Sequence, residues 1–409
     1  MRILIITQIF LPEMGALANR MYPFVRELVN QGHDVVVATG MPNYPAGVVF
    51  KEYQGKKTMS EKMEGFTVER TAYYTAPRNQ SKKSQLRSYL SFLPAVYRSG
   101  KRAGRCDVVF VTSPPIFPAV PAMMLAKKWK AKLVFDIRDL WPDEIVAVGA
   151  AKEGSKAVEM VRRVERKVYK MADIVSCTTH AFIDTVCSRG VDRKKTILTP
   201  NGADLAIFHP REKFNEHVEE YGLGDRFVVM YSGLLGIKHG LETILEAAKH
   251  LQDEKGIVFF MRGNGPRKEA LFDQAKEMGL DNVVFGGEKP METLPYLISR
   301  ADVCVTNLLP DAYLEKIISV KIFEYMACEK PVVAALAGES AKVITDADAG
   351  FVVPAGDGKA MADAIRKLYK DRELCEAMGK RGRKHVEENY SRELIAKRLA
   401  ETLGQLASK

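Results

Sequence analysis

Four stretches of this chain place charged groups and small residues where they could act on an anion. "YSGLLGIKHGLE" (231–242) follows a β-rich run and sets Lys238 and His239 among glycines just before a helical pattern. A cation beside backbone amides suits a phosphate leaving group, although the same letters also fit a flexible surface loop. "GNGPR" (263–267) has a G-x-G between a strand pattern and a helix, so its amides could face an anion or simply make a tight turn. Gly15 with Ala16 at a helix start would let backbone approach a ligand and offer N–H groups to a diphosphate, or would serve as a plain helix-entry glycine. "SVKIFEYMACEKPVV" (319–333) reads as a turn, a short helix and a buried strand, with the carboxylate of Glu324 one turn into the helix and three residues after Lys321. That spacing fits either a ligand contact or an ordinary i, i+3 pair on an exposed helix face.

The elements that must position these residues alternate along the chain. Short apolar runs at 2–7, 34–39, 66–71, 107–112, 132–137, 173–178 and 196–200 alternate with amphipathic helical patterns such as 18–31 and 156–171. After a polar stretch near 204–222 the pattern restarts with runs at 226–232, 256–262, 282–285, 302–306, 331–335 and 350–354. Strands so uniformly apolar are covered on both faces, which predicts an α/β fold with two Rossmann-like, doubly wound parallel sheets. The expected division is a first domain over 1–205, a second over 206–385, and a final helix over 386–409 that packs back on the first, with the ligand cleft between the domains. Leu394, Ile395, Leu399 and Leu403 give that last helix its apolar face.

Length and composition agree. A chain of 409 residues, 46% hydrophobic and 27% charged, supports two domains of about 200 residues each. No run approaches the ~18 apolar residues of a membrane span, and "MRILIITQIF" lacks a cleavage site, so a cytoplasmic protein is expected. Six scattered cysteines without C-x-x-C spacing predict reduced thiols and neither a disulfide framework nor a metal.

The net charge of +10 is concentrated. From Arg70 to Cys106 there are nine Lys or Arg and no acid, with Tyr89, Leu90, Phe92, Leu93, Val96 and Tyr97 interleaved. This is a basic amphipathic helix. It either lies on an anionic membrane surface through Lys82, Lys83, Arg87, Phe92 and Tyr97, giving a peripheral association, or packs its apolar face on its own domain. No recognised nucleic-acid module accompanies the charge, and no nucleic-acid partner is expected.

A dinucleotide dehydrogenase would need G-x-G-x-x-G after the first strand, where "QIFLPEMGALANR" stands instead, and a P-loop is missing. The chain resembles the retaining glycosyltransferases of family four, which have the GT-B fold and use nucleotide sugars. The resemblance runs over nearly the whole length, through "LPEMGALANRMYPFVRELVNQGHDVVVATGMPNYPAG", "DIRDLWPDEIVAVGA", "ILTPNGADLAIFHP", "GNGPRKEAL", "ADVCVTNL" and "KIFEYMACEKPVV". "PNYPAG" and "RDLWPDE" are most similar to bacterial surface-polysaccharide enzymes, L-fucosamine transferases among them.

The resemblance implies that Glu324 binds the ribose hydroxyls, as an ionised carboxylate accepting two donors can. It also implies that Glu288, Pro290 and Leu294 lie along the base. The family's second acid, which binds the donor sugar, falls at Lys316, with Glu315 beside it as the candidate substitute. Leu234 stands where the family has a phosphate-binding Arg, so Lys238, Arg262 and Lys321 are the candidates to neutralise the diphosphate, with the amides of Gly233, Gly263, Gly15 and Ala16. No counterpart of the family's catalytic-site histidine is evident. Asp139 of "DIRDLWP" is expected nearest the reacting groups, with Asp136 in reserve, although Asp139 also fits a helix N-cap. Asn43 and Tyr44 line the acceptor side or only form a turn.

The implied reaction moves a sugar, an N-acetylated amino sugar or deoxysugar, from a UDP-sugar to a lipid-linked or oligosaccharide acceptor, with retention and without a metal or other cofactor. Front-face attack, leaving-group stabilisation by Lys238 and domain closure about a hinge near 200–212 belong to the same implication. A sugar-nucleotide epimerase on this fold and a non-catalytic glycan- or lipid-binding protein are the alternatives.

Overall fold

A computed structural model describes residues 1–76, 82–147, 149 and 151–407. The chain divides into two compact units, Met1–Pro200 with Glu393–Lys409, and Asn201–Arg392.

The first unit is built on eight strands: β1 (Arg2–Ile6), β2 (Asp34–Gly40), β3 (Thr58–Met63), β4 (Phe66–Thr71), β5 (Val108–Ser113), β6 (Lys132–Ile137), β7 (Ile174–Cys177) and β8 (Thr196–Leu198). Their order is β3-β4-β2-β1-β5-β6-β7-β8, parallel except for β3, which runs antiparallel to β4. Ile3 of β1 pairs with Val35 on one side and Val108 on the other, so the central strands are buried as their apolar runs require. β3 had no signal in the sequence. Its residues, TMSEKM, alternate exposed and half-buried on the sheet edge, where polar side chains suffice.

The second unit has six parallel strands: β9 (Phe227–Ser232), β10 (Ile257–Arg262), β11 (Val283–Gly287), β12 (Val303–Asn307), β13 (Val332–Ala335) and β14 (Gly350–Val353). They are ordered β11-β10-β9-β12-β13-β14. The chain therefore winds outward from β9 in one direction and from β12 in the other, and the order reverses between them. A reversal of this kind opens a crevice at the carboxyl ends of the two strands. The β9–β12 pairing ends at Met230 and Cys304, which leaves Tyr231, Ser232 and Val305 to Asn307 unpaired with one another.

Each sheet is covered by helices that bury apolar faces against it. The helix Arg392–Ala407 sends Ala396, Leu399, Ala400 and Leu403 into the first unit's core. Residues 386–389 of the expected final helix instead finish the preceding one, Arg372–Asn389, whose Val386 sits in the second unit's core. All six cysteines are free, and all but Cys187 are buried. Among the described residues no helix is long and apolar enough to cross a membrane.

Candidate functional site

The crevice of the second unit is assembled by hydrogen bonds that tie its loops to the sheet. The Tyr325 hydroxyl accepts from Ser232 N at 2.9 Å, fixing the helix Val320–Ala327 to the end of β9. Asn307, the last residue of β12, donates Nδ2 to the carbonyls of His239 and Gly240, each at 2.7 Å, which pins the turn carrying Lys238. Neither residue was singled out in the sequence, although both sit at element ends facing the reversal. Gly263 lies against the carbonyl of Gly233 there, an approach that a side chain on Gly263 would block.

Lys321 and Glu324 occupy successive turns of that helix. The Nζ of Lys321 is buried 4.0 Å from the centroid of the Tyr231 ring, with no hydrogen-bond partner among the described residues. Burial pushes the Lys321 ammonium down to about 7, Glu324 opposes this, and Lys238 adds to it. Burial also raises the Glu324 carboxyl, against the pull of Arg392, Lys321 and Arg262. His239 is held neutral, lowered to about 3 by burial and then by Lys321 and Lys238. The crevice thus holds more cationic groups than acids, with the buried Nζ of Lys321, without a hydrogen-bond partner among the described residues, near the half-buried carboxylate of Glu324, an arrangement that a diphosphate and a pair of hydroxyls would satisfy.

Several candidates stand elsewhere than expected. The N–H of Gly233 donates to Arg262 O at 3.0 Å and that of Gly263 to Gly287 O at 2.9 Å, so neither is spare for a phosphate. Arg262 is buried; its Nη1 donates to Ser232 Oγ and its Nη2 to the carbonyls of Lys289 and Pro290. It shapes the loop after β11 rather than reaching out as a free clamp. Glu288 is exposed and accepts from Asn264. Leu294 lies in the core with its N–H bonded to Met291 O, so neither its side chain nor its N–H is spare for a base. Glu315 is exposed on a 3-10 turn over Leu314–Lys316, while Lys316 is half-buried. The register there is fixed, since a Cβ at Gly338 would lie 1.9 Å from the Glu315 carbonyl oxygen.

The first unit has its own cavity, of about 570 Å³, at the ends of β1, β5 and β6. Gly15, Asn43, Tyr44 and Asp139 line it together, as does Arg138. The helix that begins at Ala16 starts at its edge. Tyr89, Phe117 and Trp141 stack edge-on or tilted at 5.8–5.9 Å, and Tyr89 and Trp141 form one wall. The indole of Trp141 donates to Glu144 Oε2 at 3.1 Å. Aromatic faces beside carboxylates suit the apolar faces and hydroxyls of a sugar. A further residue the sequence did not flag is Glu13, fully buried, whose carboxylate accepts from the N–H groups of Phe10, Asn43 and Tyr44 and so shapes the rim. Burial raises its carboxyl.

Asp136 belongs to the core instead. It is fully buried and accepts from Arg20 at 3.0 Å, Thr112 at 2.9 Å and Ser176 at 2.7 Å. The basic helix, Lys82–Arg102, packs on its own unit: Phe92 is 1% exposed and meets Tyr73 edge-on at 5.1 Å, and Tyr97 is half-buried. Phe92 is therefore no membrane contact. Lys83, Arg87, Leu86 and Leu90 do face solvent, whereas Arg78 and the side chain of Lys82 lie outside the described residues. Among the described residues no group of His, Cys, Asp or Glu could hold a metal ion.

Comparison with known proteins agrees with this architecture. Residues 15–202 match the glycosyl transferase 4-like domain and residues 213–385 the glycosyl transferases group 1. A protein that bears the name of a colanic acid biosynthesis glycosyl transferase in Escherichia coli (strain K12) is 27% identical over 318 residues, 74% of this chain and 75% of its own. Among solved structures, sucrose-phosphate synthase from Thermosynechococcus elongatus has a TM-score of 0.76 at 20% identity, covering 100% of this chain and 99% of that one. The Anabaena protein HepE in complex with UDP has a TM-score of 0.72 at 18% identity, covering 99% of this chain and 100% of its own. With two matches that between them take in most of both units, the chain belongs to the group 1 glycosyltransferases and has their two-domain GT-B fold.

Proposed function

We propose that this protein transfers a sugar from a UDP-sugar to a hydroxyl of a lipid-linked or oligosaccharide acceptor in surface polysaccharide assembly, with retention of configuration. The observation that carries the reading is the crevice at the β9–β12 reversal, where the buried Nζ of Lys321 and the half-buried Glu324 stand one helical turn apart. In this reading Glu324 accepts from the ribose hydroxyls, and Lys321 and Lys238 neutralise the diphosphate as it leaves. The first unit's aromatic cavity takes the acceptor, with Asp139 beside the reacting hydroxyl. The solvent-facing Lys83 and Arg87, next to exposed Leu86 and Leu90, favour an anionic lipid surface as the place where a lipid-linked acceptor is met. The name of the Escherichia coli relative and the UDP bound by HepE support the pathway and the nucleotide.

The test is a panel of UDP- and GDP-sugars incubated with the purified protein, with and without a lipid-linked glycan. Release of UDP that depends on the acceptor, with a product of retained anomeric configuration, is expected. Epimerised donor, or no turnover with any pair, would overturn the proposal.

A further inference from the structure

We propose that Lys321 takes up one proton when a nucleoside diphosphate enters the second unit, and that the ammonium so formed is the charge that stabilises the leaving diphosphate. The inference rests on the reading of that unit as the donor site.

The geometry around Nζ is unusual for a lysine. The atom is buried, lacks a hydrogen-bond partner among the described residues and sits over the face of Tyr231. It approaches the β9 loop so closely that a Cβ at Gly233 would lie 2.7 Å from it. Each element around it brings a charged or titratable group. From β9 comes Tyr231, whose hydroxyl already donates to Leu234 O. From the following turn come Lys238 and His239, the latter neutral. From its own helix comes Glu324, which Arg262 of β10 and Arg392 also attract.

An ammonium here has a like charge beside it, a carboxylate shared with two arginines, and no acceptor. Without an anion the neutral amine is favoured, in line with a group lowered to about 7. A diphosphate reverses this by supplying the missing acceptors and negative charge. The proton comes from solvent, and no other bond is made or broken.

The sign follows from linkage. Above about pH 7 the free site is mostly neutral, and binding recharges it, so affinity falls as pH rises by up to about tenfold per unit until the bound lysine itself titrates. UDP does not interfere at about pH 8.5, because its terminal phosphate has lost its last proton near pH 6.

Calorimetric titration of UDP into the intact protein, in buffers of different ionisation enthalpy, reads the protons exchanged. At about pH 8.5 close to one proton taken up per UDP bound is expected, with Lys321→Arg, which stays charged, binding UDP without uptake. UDP binding with no proton uptake by the unmodified protein would overturn this inference and leave the donor site standing. The same uptake persisting in Lys321→Arg would assign the proton to another group and overturn it too. Failure to bind UDP or GDP at any pH would overturn the donor-site reading itself.

Discussion

A Cβ on Gly263 would lie 1.8 Å from the carbonyl oxygen of Gly233. The two residues directly follow neighbouring strands, β10 and β9, and Gly263 also adopts a φ of 148°, which side chains disfavour. Gly263→Ala should therefore cost about 2–4 kcal/mol and shift the loops that frame the crevice. Gly236, three residues beyond Gly233, makes the control. Its φ of −112° is ordinary, and its added Cβ would meet the exposed side chain of Leu234 at 3.2 Å and Cδ2 of His239 at an ordinary van der Waals distance of 3.7 Å. Thermal melting of both alanine variants checks the contrast, and equal losses would contradict it.

Lys321 should make the empty protein less stable. A lysine lowered in the fold is protonated more readily in the unfolded chain, so stability rises as pH climbs from about 7 toward the ordinary lysine value near 10.4. Lys321→Met removes both the cost and the slope. The ligand-free variant is expected to gain about 1–4 kcal/mol at pH 7 or below and to lose the stabilisation that UDP gives the unmodified protein. Melting curves against pH, with and without UDP, measure both.

The sequence made the strands legible because parallel strands buried on both faces need unbroken apolar runs, as in β5, β9 and β10. It left β3 silent for the converse reason, an edge strand with no buried face. At the site, Lys321, Glu324 and the two loop glycines could be picked out by spacing. What spacing could not show was which backbone groups were already engaged. Gly233 and Gly263 looked like anion donors until their N–H groups were found in the sheet, and Asp136 looked exposed to chemistry until Arg20, Thr112 and Ser176 closed around it. Tyr325 and Asn307 were missed because their roles depend on strands far apart in the chain.

Asp136 and Asp139, three residues apart, should respond in opposite ways. Replacing Asp136 by Asn removes the fully buried carboxylate that pairs with Arg20, whose side chain is 11% exposed, and about 3–5 kcal/mol should be lost. Asp139→Asn keeps the capping capacity of the side chain and should change stability by less than about 1 kcal/mol while lowering transfer at saturating donor by at least about tenfold. Urea unfolding alongside turnover separates the two, and a stable Asp136→Asn variant would contradict the buried role.

The helix Lys82–Arg102 offers a similar separation. Phe92→Ala removes a core aromatic and should cost about 3–5 kcal/mol without changing lipid binding of the folded protein. Reversing Lys83 and Arg87 to Glu should weaken sedimentation with phosphatidylglycerol vesicles at low salt and leave melting nearly unchanged, since both side chains are exposed. Arg87 lies 4.4 Å from the Tyr74 ring centroid, a contact whose loss is worth about 1 kcal/mol at most at such a site.

Gly15 and Tyr44 settle what a glycine does at the mouth of the first cavity. The φ of Gly15 is 165°, extended backbone that any residue adopts, so conformational freedom is not the reason for it. A Cβ there would instead fall 2.9 Å from Cε1 of Tyr44, which is close enough to push the ring. If the glycine exists to seat Tyr44, Gly15→Ala should raise the KM for acceptor severalfold, and the effect should disappear when Tyr44 is already alanine, a coupling of about 1 kcal/mol in a double-mutant cycle. If it exists so that its amide can approach a diphosphate, the alanine should raise the KM for donor whether or not the ring is present. Kinetics of the two single variants and the double variant, with each substrate varied in turn, distinguish the outcomes. The close contact with the ring favours the first, so persistence of the loss without Tyr44 would overturn it.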